Sequence, residues 1–141
     1  MSNNNENGQQ LPEGFEPLFR TSPFLDNLGK FYYQKQDSIF SVGTFVSENH
    51  LNNRGFAHAG LFTTLADIAL GYGAAFSKEP PVNLVTVSLS TDFVGNAQLG
   101  DFVEARVDVQ KIGKQVAFAN AFIFKNQQER IVRVSAVFSV L

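Results

Sequence analysis

Cysteine is absent from this 141-residue chain, which removes disulfide frameworks, thiolate metal sites and cysteine nucleophiles together. Histidine is scarce as well: only His50 and His58 are present, which nearly excludes a zinc site. No long block of one charge sign occurs, and 11 Lys and Arg against 13 Asp and Glu leave a net charge of -2, so a polyanion-wrapping role is not expected. There is no ligand cluster and no glycine-rich phosphate loop, so no metal, nucleotide cofactor or prosthetic group is implied. The opening MSNNNENGQQ lacks a basic patch followed by an apolar run; it does not read as a signal peptide, and a cytoplasmic address is expected by default. Residues 59–76 approach the length of a membrane span, but two Thr, three Gly and one Asp in these 18 positions argue against one.

What is present is apolar residues, 44% of the chain, with fifteen Phe and three Tyr beside no Trp. Phe at that density suits a sheet that buries one broad face. The length fits one domain. Residues 1–16 read as a flexible polar tail and 17–141 as the domain. Ser22 before Pro23 reads as the cap of a short helix within 17–28. Residues 30–36 and 38–47 read as two strands turning at Asp37, and 48–58 as an Asn- and Gly-bearing loop. The 59–76 segment is the one long helix, and four period-two segments follow at 84–93, 102–111, 115–125 and 130–140. Gly113-Lys114 and Asn126-Gln127 join the last three as a meander. The expected class is α+β, one antiparallel sheet packed on one helix.

At 100° per residue, Leu61, Leu65, Ile68, Tyr72, Ala75 and Phe76 fall on one broad face, the expected sheet-packing stripe, and Phe62, Ala66, Ala69 and Leu70 widen the apolar surface, so the helix should be covered on most sides. The remaining arc holds Gly60, Thr63, Thr64, Asp67, Gly71 and Ala74, small residues around one acid. Such an arc suits close approach of a ligand or another backbone. Asp67 has no Lys or Arg within two turns on its own side, and unpaired acids of this kind concentrate at functional sites; the competing expectation is a solvated or capping Asp. At the helix start, free N–H groups of Ala59 and Gly60 form a binding point for a carbonyl oxygen that gains negative charge. Asn52, just upstream, can donate to the same oxygen. Asp67 lies eight residues beyond Ala59, about 12 Å along the axis. One helix therefore cannot bring both groups to one carbonyl. A homodimer with antiparallel helices and composite sites is expected instead.

The run Asn52-Asn53-Arg54-Gly55-Phe56-Ala57-His58-Ala59-Gly60 followed by Thr63-Thr64-Leu65-Ala66-Asp67 resembles the hotdog-fold acyl-CoA thioesterases of the phenylacetic-acid type. Val85-Thr86-Val87, Asp92-Phe93, Leu99-Gly100-Asp101 and Ile112-Gly113-Lys114 extend the resemblance over residues 31–141. It implies a hotdog fold, a long central helix wrapped by a curved antiparallel sheet of about six strands, assembled as a homodimer and often a homotetramer. It implies cleavage of an acyl-CoA thioester, with Asp67 as general base or nucleophile and Asn52 holding the carbonyl or the water. By the same match Ala59 supplies the oxyanion amide, Thr86 orients the water or Asp67, and His58 organises the loop or binds substrate. Gly60 and Thr63 join His58 as substrate-binding candidates, and Arg54, ahead of Lys111 and Lys114, is the candidate for coenzyme A phosphates. Coenzyme A is then part of the substrate rather than a cofactor. One departure is His58-Ala59-Gly60 where the pattern has His-Gly-Gly: the added methyl narrows the space for the acyl group. Asp101 reads as a turn residue without chemistry. Two rival functions are a hotdog acyl-thioester hydratase or dehydratase, with His58 reaching Asp67 in trans, and a non-catalytic acyl-CoA-binding module.

Overall fold

In the computed structural model, which describes residue 4 and residues 8–141, two pairs of left-handed residues set much of the sheet's connectivity. Asp37 and Ser38 (φ 52° and 68°) form a two-residue turn, and Asn126 and Gln127 (φ 51° and 62°) open a three-residue turn that Gln128 completes. The first pair links β2 (Tyr32–Gln36) to β3 (Ile39–Phe45), and the second links β6 (Val116–Lys125) to β7 (Glu129–Val140). With β1 (Glu16–Pro17), β4 (Leu84–Phe93) and β5 (Phe102–Ile112) these make a 7-stranded sheet in the order β1-β2-β3-β5-β6-β7-β4. Every neighbouring pair is antiparallel. The expected six strands are present within a residue or two at most ends, and β1 is added. Ser22 Oγ accepts from the Leu25 N–H and caps α1 (Pro23–Asp26), as the sequence indicates. The loop after β3 contains a 3₁₀ turn, Glu48–His50, and leads into the long helix α2 (Ala59–Ala75). A single long helix held in a curved antiparallel sheet is the hotdog fold.

Helix and sheet approach closely because both present small residues. Ala105, Ala117, Ala119, Ala121 and Ala136 of the sheet, and Ala66 and Ala69 of α2, are all at most 3% exposed. A Cβ added at Gly73 would lie 2.8 Å from Val107 Cγ1 of β5, so glycine there sets the spacing between helix and strand. The expected stripe needs correction on this point. Leu61 and Leu65 are buried as foreseen, as are Phe62, Ala66, Ala69 and Leu70, which were expected to widen the stripe; Gly73 and Ala74 complete the buried face. Ile68, Tyr72 and Ala75 are half-buried and Phe76 is exposed. The aromatic side of the stripe was misplaced, because packing to this depth selects the smallest side chains. The displaced aromatics find partners at the rim: Phe19 meets Tyr72 and Phe76 edge-on, with ring centres 4.9 and 5.5 Å away.

The tail boundary at residue 16 is also corrected. Leu11 and Phe15 are buried with Tyr32 and Phe102 on the side of the sheet away from α2, and Glu16 and Pro17 pair with β2. Two apolar residues in a polar window suffice, because they cover a place where the sheet is open. Gly43 there leaves room for the Phe102 ring, whose Cζ would stand 2.5 Å from an added Cβ. The part of the tail expectation that falls on residues 1–3 and 5–7 lies outside the described residues. His50 also serves the fold. It is buried, its Nδ1 accepts from the Ser47 N–H at 3.0 Å, and its Nε2 meets the Leu28 carbonyl oxygen. Among the described residues no helix is long and apolar enough to cross a membrane.

Candidate active site

The start of α2 is built by its own cap. His58 takes extended backbone angles, and its Nδ1 accepts from the Gly60 N–H at 2.8 Å. Such a bond needs a neutral imidazole protonated on Nε2. The expectation that Ala59 and Gly60 both offer free amides is therefore corrected: Gly60 is engaged by His58, and Ala59 remains. Thr63 is likewise partly spoken for, because its Oγ1 donates to the Ala59 carbonyl at 3.3 Å. His58, Ala59 and Gly60 are all exposed in the single chain.

Asn52 is held by the turn it begins. Its Oδ1 accepts from the N–H groups of Arg54 (2.9 Å) and Phe56 (3.1 Å), while its own N–H donates to the Phe56 carbonyl. Gly55, at φ 85°, supplies the left-handed residue this turn requires. With the carbonyl end committed to two backbone donors, Nδ2 is the end left to donate outward. Asn52, Arg54 and Ala59 line one small cavity of about 160 Å³ with Phe56, Phe62 and Phe93. The structure thus brings these three predicted residues together.

Asp67 sits elsewhere. It is half-buried, and Thr86 Oγ1 donates to its Oδ1 at 2.8 Å. Thr86 reaches it because β4 bulges between Thr86 and Ser88. Phe138 of β7 stands opposite Thr86, which puts Thr86 on the face of the sheet toward α2, while Val87 absorbs the extra residue. Among the described residues no Lys or Arg forms an ion pair with Asp67. Asp67 and Thr86 line a separate cleft of about 510 Å³ between α1, α2 and the start of β4. The remainder of the small-residue arc, Gly60, Thr63, Thr64 and Gly71, is exposed or half-buried; only Ala74 is fully covered by the core, because it lies at the edge of the buried face.

Two half-sites result, eight residues apart on α2 and opening into different cavities. One offers backbone and amide donors, the other an acid with a hydroxyl beside it. Lys111 and Lys114 line neither cavity. Asp101 holds a turn, as expected: its Oδ2 accepts from the Gln98 N–H at 2.8 Å. Arg20, Tyr72 and Asn83 also line the Asp67 cleft and were not foreseen, and only Tyr72, one turn and a half beyond Asp67 on the same helix, had a signal that could have found it. Among the described residues no group of three or more His, Cys, Asp or Glu is placed to hold a metal ion.

Comparison with known proteins bears on this geometry. The sequence profile described as the thioesterase superfamily matches residues 54–132. A Pseudomonas aeruginosa protein named "Putative esterase PA0474" is 46% identical over 129 residues, 91% of this chain and 96% of that protein. Among solved structures, the Escherichia coli PaaI protein from the phenylacetic acid degradation operon superposes with a TM-score of 0.75 at 21% identity, covering 86% of each chain. A hypothetical thioesterase protein of Streptococcus pneumoniae, solved with coenzyme A, gives a TM-score of 0.70 at 19% identity, over 92% of this chain and 90% of that one.

Proposed function

This chain belongs to the thioesterase superfamily, and on that premise we propose that it hydrolyses acyl-CoA thioesters to the free acid and the coenzyme A thiol. The observation that carries the reading is the Asp67–Thr86 pair: a half-buried acid that has no ion pair among the described residues, held by a hydroxyl in the lining of a cleft of ligand size. Thr86 occupies Oδ1 and fixes the carboxylate plane. Oδ2 then takes the proton from a water that attacks the thioester carbon, or attacks that carbon itself to form an anhydride that water opens; in both routes the C–S bond breaks and coenzyme A leaves as the thiolate, which takes up the proton that water supplies. Either way the developing oxyanion needs donors, and the half-site that offers them is Ala59 N–H with Asn52 Nδ2.

These donors belong to a second subunit in this proposal. β4, the last strand in the sheet order, has a free edge, and its Thr86 meets Asp67 on the small-residue arc of α2. Pairing two such edges about a two-fold axis sets Asp67 of one subunit against the helix start of the other. On the far face of the sheet Val85, Val87, Val116 and Phe118 are 40 to 65% exposed, an apolar patch that suits pairing of two dimers into a tetramer. Arg54, which lines the Asn52 cavity, is the proposed partner of a coenzyme A phosphate. The coenzyme A in the S. pneumoniae structure supports this class of ligand.

The decisive measurement is thiol release from a panel of acyl-CoA substrates by the wild type, Asp67→Ala and Asp67→Asn. Asp67→Ala should lower the rate by at least about 10²-fold, the range for loss of a general base. Near-normal turnover in a folded Asp67→Ala protein would remove the reading.

A further inference from the structure

The Asp67 cleft continues well past the reacting atoms, and its far end differs in chemistry from its middle. From the Asp67–Thr86 head it runs along α2 over Gly71 and Ala75, with Leu25, Ile68, Leu84 and Phe138 as walls. These walls give a hydrocarbon chain one apolar side, while Thr21, Ser22, Tyr72 and Asn83 make the rest of the lining polar. At the rim stands Arg20, the one cation in the lining. It follows directly on Phe19, whose ring is seated on Tyr72 and Phe76, so the backbone that carries Arg20 is anchored to the far end of α2. No acidic side chain pairs with Arg20 among the described residues. A guanidinium that is tethered, unpaired and placed beyond a channel with one apolar side is arranged for an anion delivered by the channel's own occupant.

We propose that Arg20 makes this enzyme select acyl groups that end in a carboxylate, so that its preferred substrates are ω-carboxyacyl thioesters. The inference rests on the thioesterase reading above, since it takes the carbonyl carbon to lie at Asp67. Tyr72 and Phe76 stand five and nine residues beyond Asp67, roughly 8 to 14 Å along the helix. An extended chain advances about 1.2 Å per bond and the hydrogen bond from carboxylate to guanidinium covers about 3 Å more, so acyl groups of roughly six to ten carbons span the distance. The two anions of such a substrate complex, Asp67 and the terminal carboxylate, then remain a channel length apart.

The test compares length-matched pairs, adipyl-CoA with hexanoyl-CoA and suberyl-CoA with octanoyl-CoA, by thiol release with wild type, Arg20→Ala and Arg20→Lys. The expected result is a wild-type preference in kcat/KM for the carboxylated member of each pair. Arg20→Ala should lower that preference about three- to tenfold, mainly through KM, as suits one partly exposed ion pair, with the neutral substrates unchanged and Arg20→Lys intermediate. An equal loss on both members would place the guanidinium on the coenzyme A phosphates and overturn the proposal, as would a preference that Arg20→Ala leaves intact. Dissociation constants of the same pairs for the Asp67→Asn protein separate this failure from that of the hydrolytic reading. Tighter binding of adipyl-CoA, abolished by adding Arg20→Ala, supports the role of Arg20 whatever Asp67 does, and equal binding defeats it.

Discussion

The two half-sites on α2 are made of different materials. At the helix start the proposed working groups are a backbone N–H and a side-chain amide, set by a local turn: His58 caps Gly60, Asn52 folds over Arg54 and Phe56, and no residue from another part of the sheet is needed for either bond. At Asp67 the working group is a carboxylate, and its partner Thr86 comes from a strand 19 residues away, aimed by a bulge. A site made of backbone amides tolerates change in the side chain that bears the amide, which is why alanine can stand at position 59. A carboxylate has no such latitude. The donor half can therefore form wherever the local sequence is intact, whereas the acid half requires the assembled sheet, and in the proposed dimer each subunit supplies one of each.

Mixing inactive subunits tests that division most severely. Asp67→Ala retains the donor half and Asn52→Ala retains the acid half. Refolding the two together in equal amounts gives heterodimers as about half of all dimers, each with one site of wild-type composition, so about a quarter of wild-type thiol release should return. Each variant refolded alone should stay at a few per cent or below, since a lost general base or oxyanion donor costs on the order of 10²-fold. If the mixture does no better than the average of its parts, the two half-sites do not meet across subunits.

A second measurement sharpens the acid half. Thr86→Val keeps the β-branched shape on β4 and removes the bond to Asp67 Oδ1. A hydrogen bond to a charged group at a partly exposed place contributes about 1 to 1.5 kcal/mol, so kcat should fall about five- to tenfold with KM nearly unchanged, and Thr86→Ser should restore most of it. An equal loss in Thr86→Ser, or a change confined to KM, would mean that Thr86 meets the substrate and does not position the acid.

The same contrast governs what could be read from sequence. Local features were legible: the α2 start, the Ser22 cap, the Asp37 and Asn126 turns and the strand periods depend on neighbours within a few residues. The lone acid on an arc of small residues was equally visible, as was the arithmetic that it lies too far from Ala59 to act with it in one chain. The pairing of Thr86 with Asp67 was available only through the family resemblance, because no local pattern predicts a contact across a bulge. The buried face of α2 was displaced, since side-chain size is a poor guide where Gly73 and a floor of alanines set the distance. Leu11 and Phe15 were overlooked because their partners, Tyr32 and Phe102, are far along the chain. Glu104 was overlooked for the same reason. It is 2% exposed beside Arg106 at 3.3 Å, and an acid in a strand gives no sign that it will be buried.

The segment before α1 offers the mildest test, and one confined to the acid half. Glu16 and Tyr33 face each other across β1 and β2, and Tyr33 Oη donates to Glu16 Oε1 at 3.0 Å. Phe19 then rests on the Tyr33 ring, with centres 5.1 Å apart, so this pair tethers the stretch that carries Phe19 and Arg20 to the rim of the Asp67 cleft. The hydrogen bond to Glu16, reinforced by burial and by the carboxylate's charge, holds the Tyr33 phenol above its ordinary pKa. The folded state thus binds the phenol proton more tightly than the unfolded chain does. Its contribution to stability is complete below the unfolded value of about 10 and is lost as pH rises through the folded value. Denaturation midpoints at pH 7 and pH 10.5 should therefore differ slightly less in Tyr33→Phe than in the wild type, and Glu16→Gln should show the same flattening. Loosening this tether at pH 7 should weaken the Arg20-dependent substrate preference while leaving the Asn52 half-site untouched. Identical alkaline losses in all three proteins would show that the Glu16–Tyr33 bond does not hold the segment, and the rim of the acid half would then owe its position to the Phe19 ring contacts alone.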